Sequence, residues 1–190
     1  MGTLVISENI TLDGVIADPT GEAGTKFGGW FNQIGDKDRE AWAKVELNEA
    51  LGAEALLMGR RSDEYFGPRF ASRTGEWADR LNSMPKYVVS ATIDEAKWTN
   101  STVLKGDVVT EVSKLKQQIS GEIVVNGSGQ LVPTLLEHDL VDELRLIVYP
   151  FIVGAGPRAF GEISDMKTMH LVRAQTVGDT LVYLTYQRVR

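Results

Sequence analysis

Residues 122–160 read EIVVNGSGQLVPTLLEHDLVDELRLIVYPFIVGAGPRAF. The stretch opens on a short apolar run, Ile123-Val124-Val125, that reads as a buried strand, and it breaks at Asn126-Gly127-Ser128-Gly129. It resumes with helical spacing, placing Leu131, Leu135 and Leu136 on one face. A second strand is expected from Glu143 to Tyr149, followed by a Pro/Gly turn over Pro150 to Pro157. A strand that ends in small residues and opens into a helix presents bare backbone N–H groups and the positive end of a dipole to an anion. That arrangement suits the pyrophosphate of a nucleotide cofactor.

Outward from this stretch, strand signals alternate with helical ones. Thr3 to Ile10 is rich in β-formers and runs toward the turn Asp13-Gly14. Asp18 to Gly35 is loaded with Gly, Pro, Thr and Asp around the aromatic pair Trp30-Phe31, and reads as a long loop of a length that is often functional in compact domains. Asp36 to Leu51 is expected to be helical, with acids near its start and Trp42, Val45 and Leu51 sharing a face. Ala55 to Met58 is a short buried strand, and Gly59-Arg60-Arg61-Ser62 opens a short helix through Tyr65-Phe66. Gly75 to Met84 reads as a helix stopped by Pro85, Lys86 to Ser90 as a strand, and Asp107 to Ile119 as an amphipathic helix. Met169 to Val177 and Thr180 to Val189 form a hairpin about Gly178-Asp179. The pattern predicts an α/β sandwich with a mostly parallel sheet and an antiparallel C-terminal edge, built as one domain over residues 1–190. Ligands of such sheets bind outside the carboxyl ends of the strands.

Composition narrows the function classes. The 190 residues are 43% hydrophobic and 24% charged, as in ordinary globular chains, and carry a net charge of −6. With no dense Lys/Arg block, binding to nucleic acid or to an anionic membrane is not expected. The chain has no cysteine, which excludes disulfides, thiol nucleophiles and Cys-based metal sites. No apolar run approaches the roughly 18 residues of a membrane span, and the N-terminus lacks the pattern of a signal peptide, so a cytoplasmic location is expected.

Each candidate constellation has a plain alternative. Arg60 or Arg61, with Ser62 and the helix start, suits phosphates, including the 2′-phosphate of NADP; two solvated arginines on a capped helix explain the same residues equally well. Cations at a helix start oppose the dipole, which suggests that they answer to something else. Asn126-Gly127-Ser128-Gly129 is an incomplete dinucleotide fingerprint, and alone it reads as a glycine-rich turn. It also fails the pattern of a nucleophile elbow, so a hydrolase using Ser128 ranks third among the readings. His138 and His170 lie far apart without metal-ligand spacing, so no metal is expected. Asp13 is either part of a plain turn or a carboxylate at the mouth of the first strand.

Taken together the segments resemble the dihydrofolate-reductase-like superfamily, and most closely the C-terminal reductase domain of the bacterial deaminase-reductase of riboflavin biosynthesis. The carriers are Leu12-Asp13-Gly14, Met58-Gly59-Arg60, Gly127-Ser128, Leu140-Val141-Asp142-Glu143-Leu144, Pro150, Gly154-Ala155-Gly156 and Phe160. The resemblance spans nearly the whole chain and implies a three-layer sandwich that binds NADPH across the strand ends. By position it implies phosphate contacts from Gly59, Arg60, Arg61 and Ser62, and an adenosine side lined by Ser90, Ala91 and Thr92. It further implies a pyrophosphate cradle of Asn126, Gly127, Ser128, Gly129, Gln130 and Leu131, with Ile16 near the nicotinamide. A substrate pocket is expected between the Asp13-Gly14 turn, Trp30-Phe31 and the turn from Pro150, with Asp13 as the candidate catalytic carboxylate. Asp36, Asp38 and Glu40 lie near the first-helix acid of dihydrofolate reductases, but the flanking sequence differs and none is assigned. Asn126 stands where those enzymes have the first of paired glycines. Deaminase motifs are absent. The leading expectation is an NADPH-dependent reductase of a small heterocycle, carbonyl or imine, similar to 5-amino-6-(5-phosphoribosylamino)uracil reductase. A non-catalytic nucleotide- or ligand-binding protein on the same fold, or a dihydrofolate reductase, is the alternative. A homodimer is expected through the apolar closing hairpin, against the alternative that helices of the same chain cover it.

Overall fold

The computed structural model describes residues 1–189. One eight-stranded sheet runs through the molecule in the order β4-β3-β2-β5-β1-β6-β8-β7. Its strands are β1 (Thr3–Thr11), β2 (Ala53–Gly59), β3 (Lys86–Val89), β4 (Ser101–Leu104), β5 (Glu122–Asn126), β6 (Glu143–Tyr149), β7 (Met169–Val177) and β8 (Leu181–Arg188). The first six pair in parallel, and β8 joins antiparallel to both β6 and β7. The helices are α1 (Asp36–Gly52), α2 (Arg60–Ala71), α3 (Glu76–Ser83), α4 (Val108–Gln118) and α5 (Leu131–Glu137), and a 3-10 turn covers Trp30–Gln33.

Strand alternation decides which helices lie on which face. Leu4 and Ile6 of β1, with Ile123 and Val125 of β5, pack against Val112, Leu115, Leu131 and Leu135 of α4 and α5. Val5 and Val124, one residue out of phase, face the opposite layer with Ala50 of α1, Phe70 of α2 and Ala78 and Leu81 of α3. A third cluster joins Trp30, Tyr149, Leu181 and Tyr183 to Trp42 and Val45 of α1. Each fully buried aliphatic side chain here contributes roughly 1.5–3 kcal/mol, which makes the two-sided burial of β1, β2 and β5 the anchor of the sandwich.

Three expectations change in the structure. A short edge strand, β4, pairs with β3 in a stretch for which no element is expected from the sequence. Helix α2 continues past Tyr65-Phe66 to Ala71, with Pro68 inside it. The closing hairpin has three loop residues, Gly178 to Thr180, because Val177 pairs directly with Leu181. Asp38 holds that loop, accepting from the backbone N–H of Asp179 at 2.6 Å and of Thr180 at 3.1 Å and from the Thr180 hydroxyl at 2.6 Å. Burial works against its charge, but these hydrogen bonds outweigh it and lower its pKa.

Candidate functional site

The parallel strands β2 and β5 are neighbours, so the loops leaving their carboxyl ends meet. β2 runs into α2 with Gly59 as the N-cap residue, and no side chain caps the helix. Its first N–H groups are therefore left to water or to a ligand. The β5–α5 loop lies against this helix start: Ser128 Oγ accepts from the Gly59 N–H at 3.0 Å and lies 2.9 Å from Ser62 Oγ. Gly127 and Ser128 both have left-handed backbones, with φ of 66° and 65°. For a serine that conformation costs about 1–2 kcal/mol, which the fixed hydroxyl contacts offset. At Gly129 an added Cβ would lie 2.9 Å from Ile16 Cδ1, so the loop and the segment after β1 approach closely there. Three segments expected to share a cofactor site are thus brought together: that of Ile16, that of Gly59 and Ser62, and 127–129. Ser90, Ala91 and Thr92 follow β3 on the same sheet edge, with Ala91 and Thr92 exposed. Gln130 is exposed, whereas Leu131 is buried in the core beneath the loop. Arg60 pairs with Glu64 at 2.8 Å, and Arg61 is exposed.

The surroundings of Asp13 support the turn role that stands as the alternative to an acid–base one. Its carboxylate accepts from the Thr11 hydroxyl at 2.6 Å and from the N–H groups of Gly154 at 2.8 Å and Val153 at 3.2 Å. The Thr11 bond first, then those from Gly154 and Val153, lowers its pKa to about 2. A carboxylate so saturated holds the end of β1 to the loop after β6 and carries no proton near neutrality. The Trp30-Phe31 expectation also changes. Trp30 is 4% exposed, donates its indole N–H to Ala17 O at 3.2 Å and meets Tyr149 edge-on with ring centroids 4.9 Å apart. Phe31 packs edge-on against Trp42, and Pro150 is exposed at the end of β6. The three segments do converge, but Trp30 has no open face on which to stack a ligand. Ser128, with its hydroxyl engaged by Gly59 and Ser62, lacks the arrangement of an activated nucleophile, and both histidines are exposed.

The acids that sequence reading missed lie deeper in α1. Ser7 and Asn9 of β1 point toward this helix: Ser7 Oγ donates to Glu49 at 2.6 Å, and Asn9 Nδ2 donates to Glu46 at 3.2 Å. Asn9 Oδ1 in turn accepts from the Trp42 indole N–H at 2.9 Å and the Tyr149 hydroxyl at 3.0 Å. Tyr183 donates to Glu49 at 2.7 Å. Glu46 and Glu49 line a crevice with Trp77, Leu56 and Asn126, whose volume of about 10 Å³ is no larger than one water needs. Asn126 thus links the glycine-rich loop to the crevice. Burial, then the neighbouring Glu49 carboxylate, raises Glu46 to a pKa of about 8 against the opposing hydrogen bonds of Asn9 and Trp42. Glu46 therefore keeps a proton at neutral pH inside a polar, aromatic-walled crevice, as a general acid requires. The only signal in the sequence was the spacing Trp42, Glu46, Glu49, which puts all three on one helical face.

A mostly parallel sheet between two helical layers, an antiparallel C-terminal pair and a glycine-rich turn against an uncapped helix start define a dihydrofolate-reductase-like α/β protein. The chain belongs to the RibD C-terminal domain family, whose model matches residues 3–183. It is similar in structure to a protein of Shewanella sp. PV-4 assigned to riboflavin biosynthesis, with a TM-score of 0.79 and 24% identity over 99% of each chain. It also resembles dihydrofolate reductase from Enterococcus faecalis in complex with NADP(H), with a TM-score of 0.62 and 15% identity over 99% of this chain and 97% of that one. The third likeness is to the diaminohydroxyphosphoribosylaminopyrimidine deaminase/5-amino-6-(5-phosphoribosylamino)uracil reductase of Thermotoga maritima. There the TM-score is 0.65 and the identity 17%, over 99% of this chain and 57% of that one.

Proposed function

We propose that the protein is an NADPH-dependent reductase that delivers hydride to a C=N or C=O carbon of a small planar heterocycle or carbonyl compound, in the manner of 5-amino-6-(5-phosphoribosylamino)uracil reductase. The carrying observation is the meeting of Gly59, Ser62 and Ser128 at an uncapped helix start beside the left-handed Gly127-Ser128 turn. The residues present fit a dinucleotide: backbone N–H groups and two hydroxyls for the diphosphate, Arg61 and Arg60 for the 2′-phosphate, Ser90 to Thr92 for the adenosine side and Ile16 for the nicotinamide. Bound there, reduced nicotinamide supplies the hydride. Glu46 supplies the proton that completes conversion of the double bond to C–H and N–H or C–H and O–H. Asn9 and Trp42 hold Glu46 in place, while burial and the neighbouring Glu49 keep it protonated.

Support for a second reading, a binding protein without turnover, comes from the crevice itself, which at about 10 Å³ admits no heterocycle until Trp77 or its neighbours shift. Fluorescence titration with NADPH, followed by its oxidation in the presence of aminopyrimidines, pterins and small carbonyls, separates the two. Binding with turnover is the expected result. Binding without turnover over the whole panel would favour the second reading, and no binding would overturn both.

A further inference from the structure

Glu8 takes no part in the reaction outlined above, yet it is the most unusual side chain in the central strand. It is 5% exposed, and it stands on the face of β1 occupied otherwise by Leu4, Ile6 and Ile10. Its Oε1 is buried without a hydrogen-bond partner. The rest of its carboxyl is engaged by the backbone of Gly127, the first left-handed residue of the β5–α5 loop. The register explains this contact, because Ser7 pairs with Asn126 and Glu8 is thus level with Gly127. A carboxylate with an unpartnered buried oxygen is costly, whereas a neutral carboxylic acid is tolerated.

We propose that Glu8 is a positioning residue for the diphosphate-binding loop, and that the loop accepts a dinucleotide diphosphate only while Glu8 holds its proton. The neutral acid supports Gly127 from below and adds no charge. The carboxylate would place a buried, weakly screened negative charge on the Gly127 side of the anion. When Glu8 is ionised, binding of the diphosphate must therefore draw one proton from solvent onto the carboxyl. The surroundings are consistent with this. Residues 126–130 carry no titratable side chain, and neither do Ile6, Ile10 or Leu146 of β6, the register partner of Glu8. The charge felt at Glu8 comes from Glu46 of α1. Burial, opposed by the Gly127 hydrogen bond and aided by Glu46, raises Glu8 to a pKa of about 8, so the device operates just above neutrality.

The proposal rests on the reading of 126–131 as a diphosphate cradle, and the experiment keeps the two apart. Affinity is measured from pH 6 to 10, with NADPH and separately with ADP-ribose, which has the diphosphate but no nicotinamide. For wild type, both affinities are expected to fall about tenfold per pH unit above the Glu8 midpoint. Glu8→Gln should abolish that slope, and Glu46→Gln should retain it. A slope that survives in Glu8→Gln, or vanishes in Glu46→Gln instead, overturns the proposal. Carboxyl NMR of wild-type protein needs no variant: the Glu8 midpoint must rise when ADP-ribose binds, and an unmoved midpoint overturns the proposal. If ADP-ribose shows the Glu8-dependent slope while NADPH fails to bind at any pH, the reductase reading falls and the Glu8 assignment stands.

Discussion

Two carboxyl groups near the end of β1 show how surroundings, rather than residue type, set the chemistry of an acid. Asp13 is held by donors, so its charge stabilises the fold. Its folded pKa of about 2 lies below the ordinary 3.8, so its contribution is complete above about pH 4 and is lost as pH falls toward 2. Asp13→Asn should lower the melting temperature at neutral pH and converge with wild type near pH 2, while NADPH affinity stays close to wild type. A variant with wild-type melting but deficient turnover would return Asp13 to the chemistry. Glu46 has the opposite sign. Its folded pKa of about 8 exceeds the ordinary 4.5, so wild-type stability falls as pH rises from about 4.5 to about 8. Glu46→Gln should flatten that part of the stability curve and lower turnover by about 10²–10⁴, the usual contribution of a general acid. Chemical denaturation across pH, paired with single-turnover rates, checks both halves. An unchanged rate would leave the proton donor elsewhere.

At the scale of elements, α2 is where cofactor choice should be decided. Arg60 is partly engaged by Glu64 one turn on, whereas Arg61 is exposed at the same helix start. A charge-assisted phosphate contact contributes about 1.5–3 kcal/mol, so Arg61→Ala should weaken NADPH binding roughly 10- to 100-fold and leave NADH nearly unaffected. Arg60→Ala should cost less, because its guanidinium already has a partner. Equal wild-type affinity for the two cofactors in a titration would refute this. Much of this element was legible in advance: the strand–Gly–helix junction, the apolar run of β5 and the helical spacing after it all have strong local signals. What was not legible has a common cause, dependence on distant packing. Gly67-Pro68 looks like a helix stop, but an added Cβ at residue 67 would lie 2.8 Å from the Lys97–Trp98 backbone, so the glycine marks a close approach inside a continuing helix. β4 is a four-residue edge strand, too short for alternation to show. Glu46 is set in its buried position by packing against β1, where Asn9, 37 residues earlier, hydrogen-bonds to it.

For the whole molecule, the sheet edge formed by β7 is the one that bears on assembly. The alternative that helices of the same chain cover the hairpin holds for part of it, since Val177, Leu181 and Tyr183 are buried against Trp42 and Val45 of α1; from His170 to Ala174, however, every residue of β7 is exposed, including Leu171 at 47% and Val172 at 51%. Met166, 91% exposed, lies just before the strand. A nine-residue edge strand with unpaired backbone groups and apolar side chains on it is a template for another strand, and soluble proteins normally block such an edge. β7 carries only Arg173 as a formal charge and no proline, so its own sequence gives it little protection. We propose that a second copy of the chain covers it, which makes the protein a homodimer. The candidate site is built from β1, β2 and β5 and their loops, and β6, β8 and β7 lie in turn beyond β1, so pairing at β7 would leave the site open. Light scattering at micromolar concentration should give about twice the 20.9 kDa chain mass. Leu171→Lys with Val172→Lys should yield a monomer that still binds NADPH, since neither residue contributes to the core. A wild-type mass at the single-chain value would overturn the dimer and leave the exposed β7 edge without a partner.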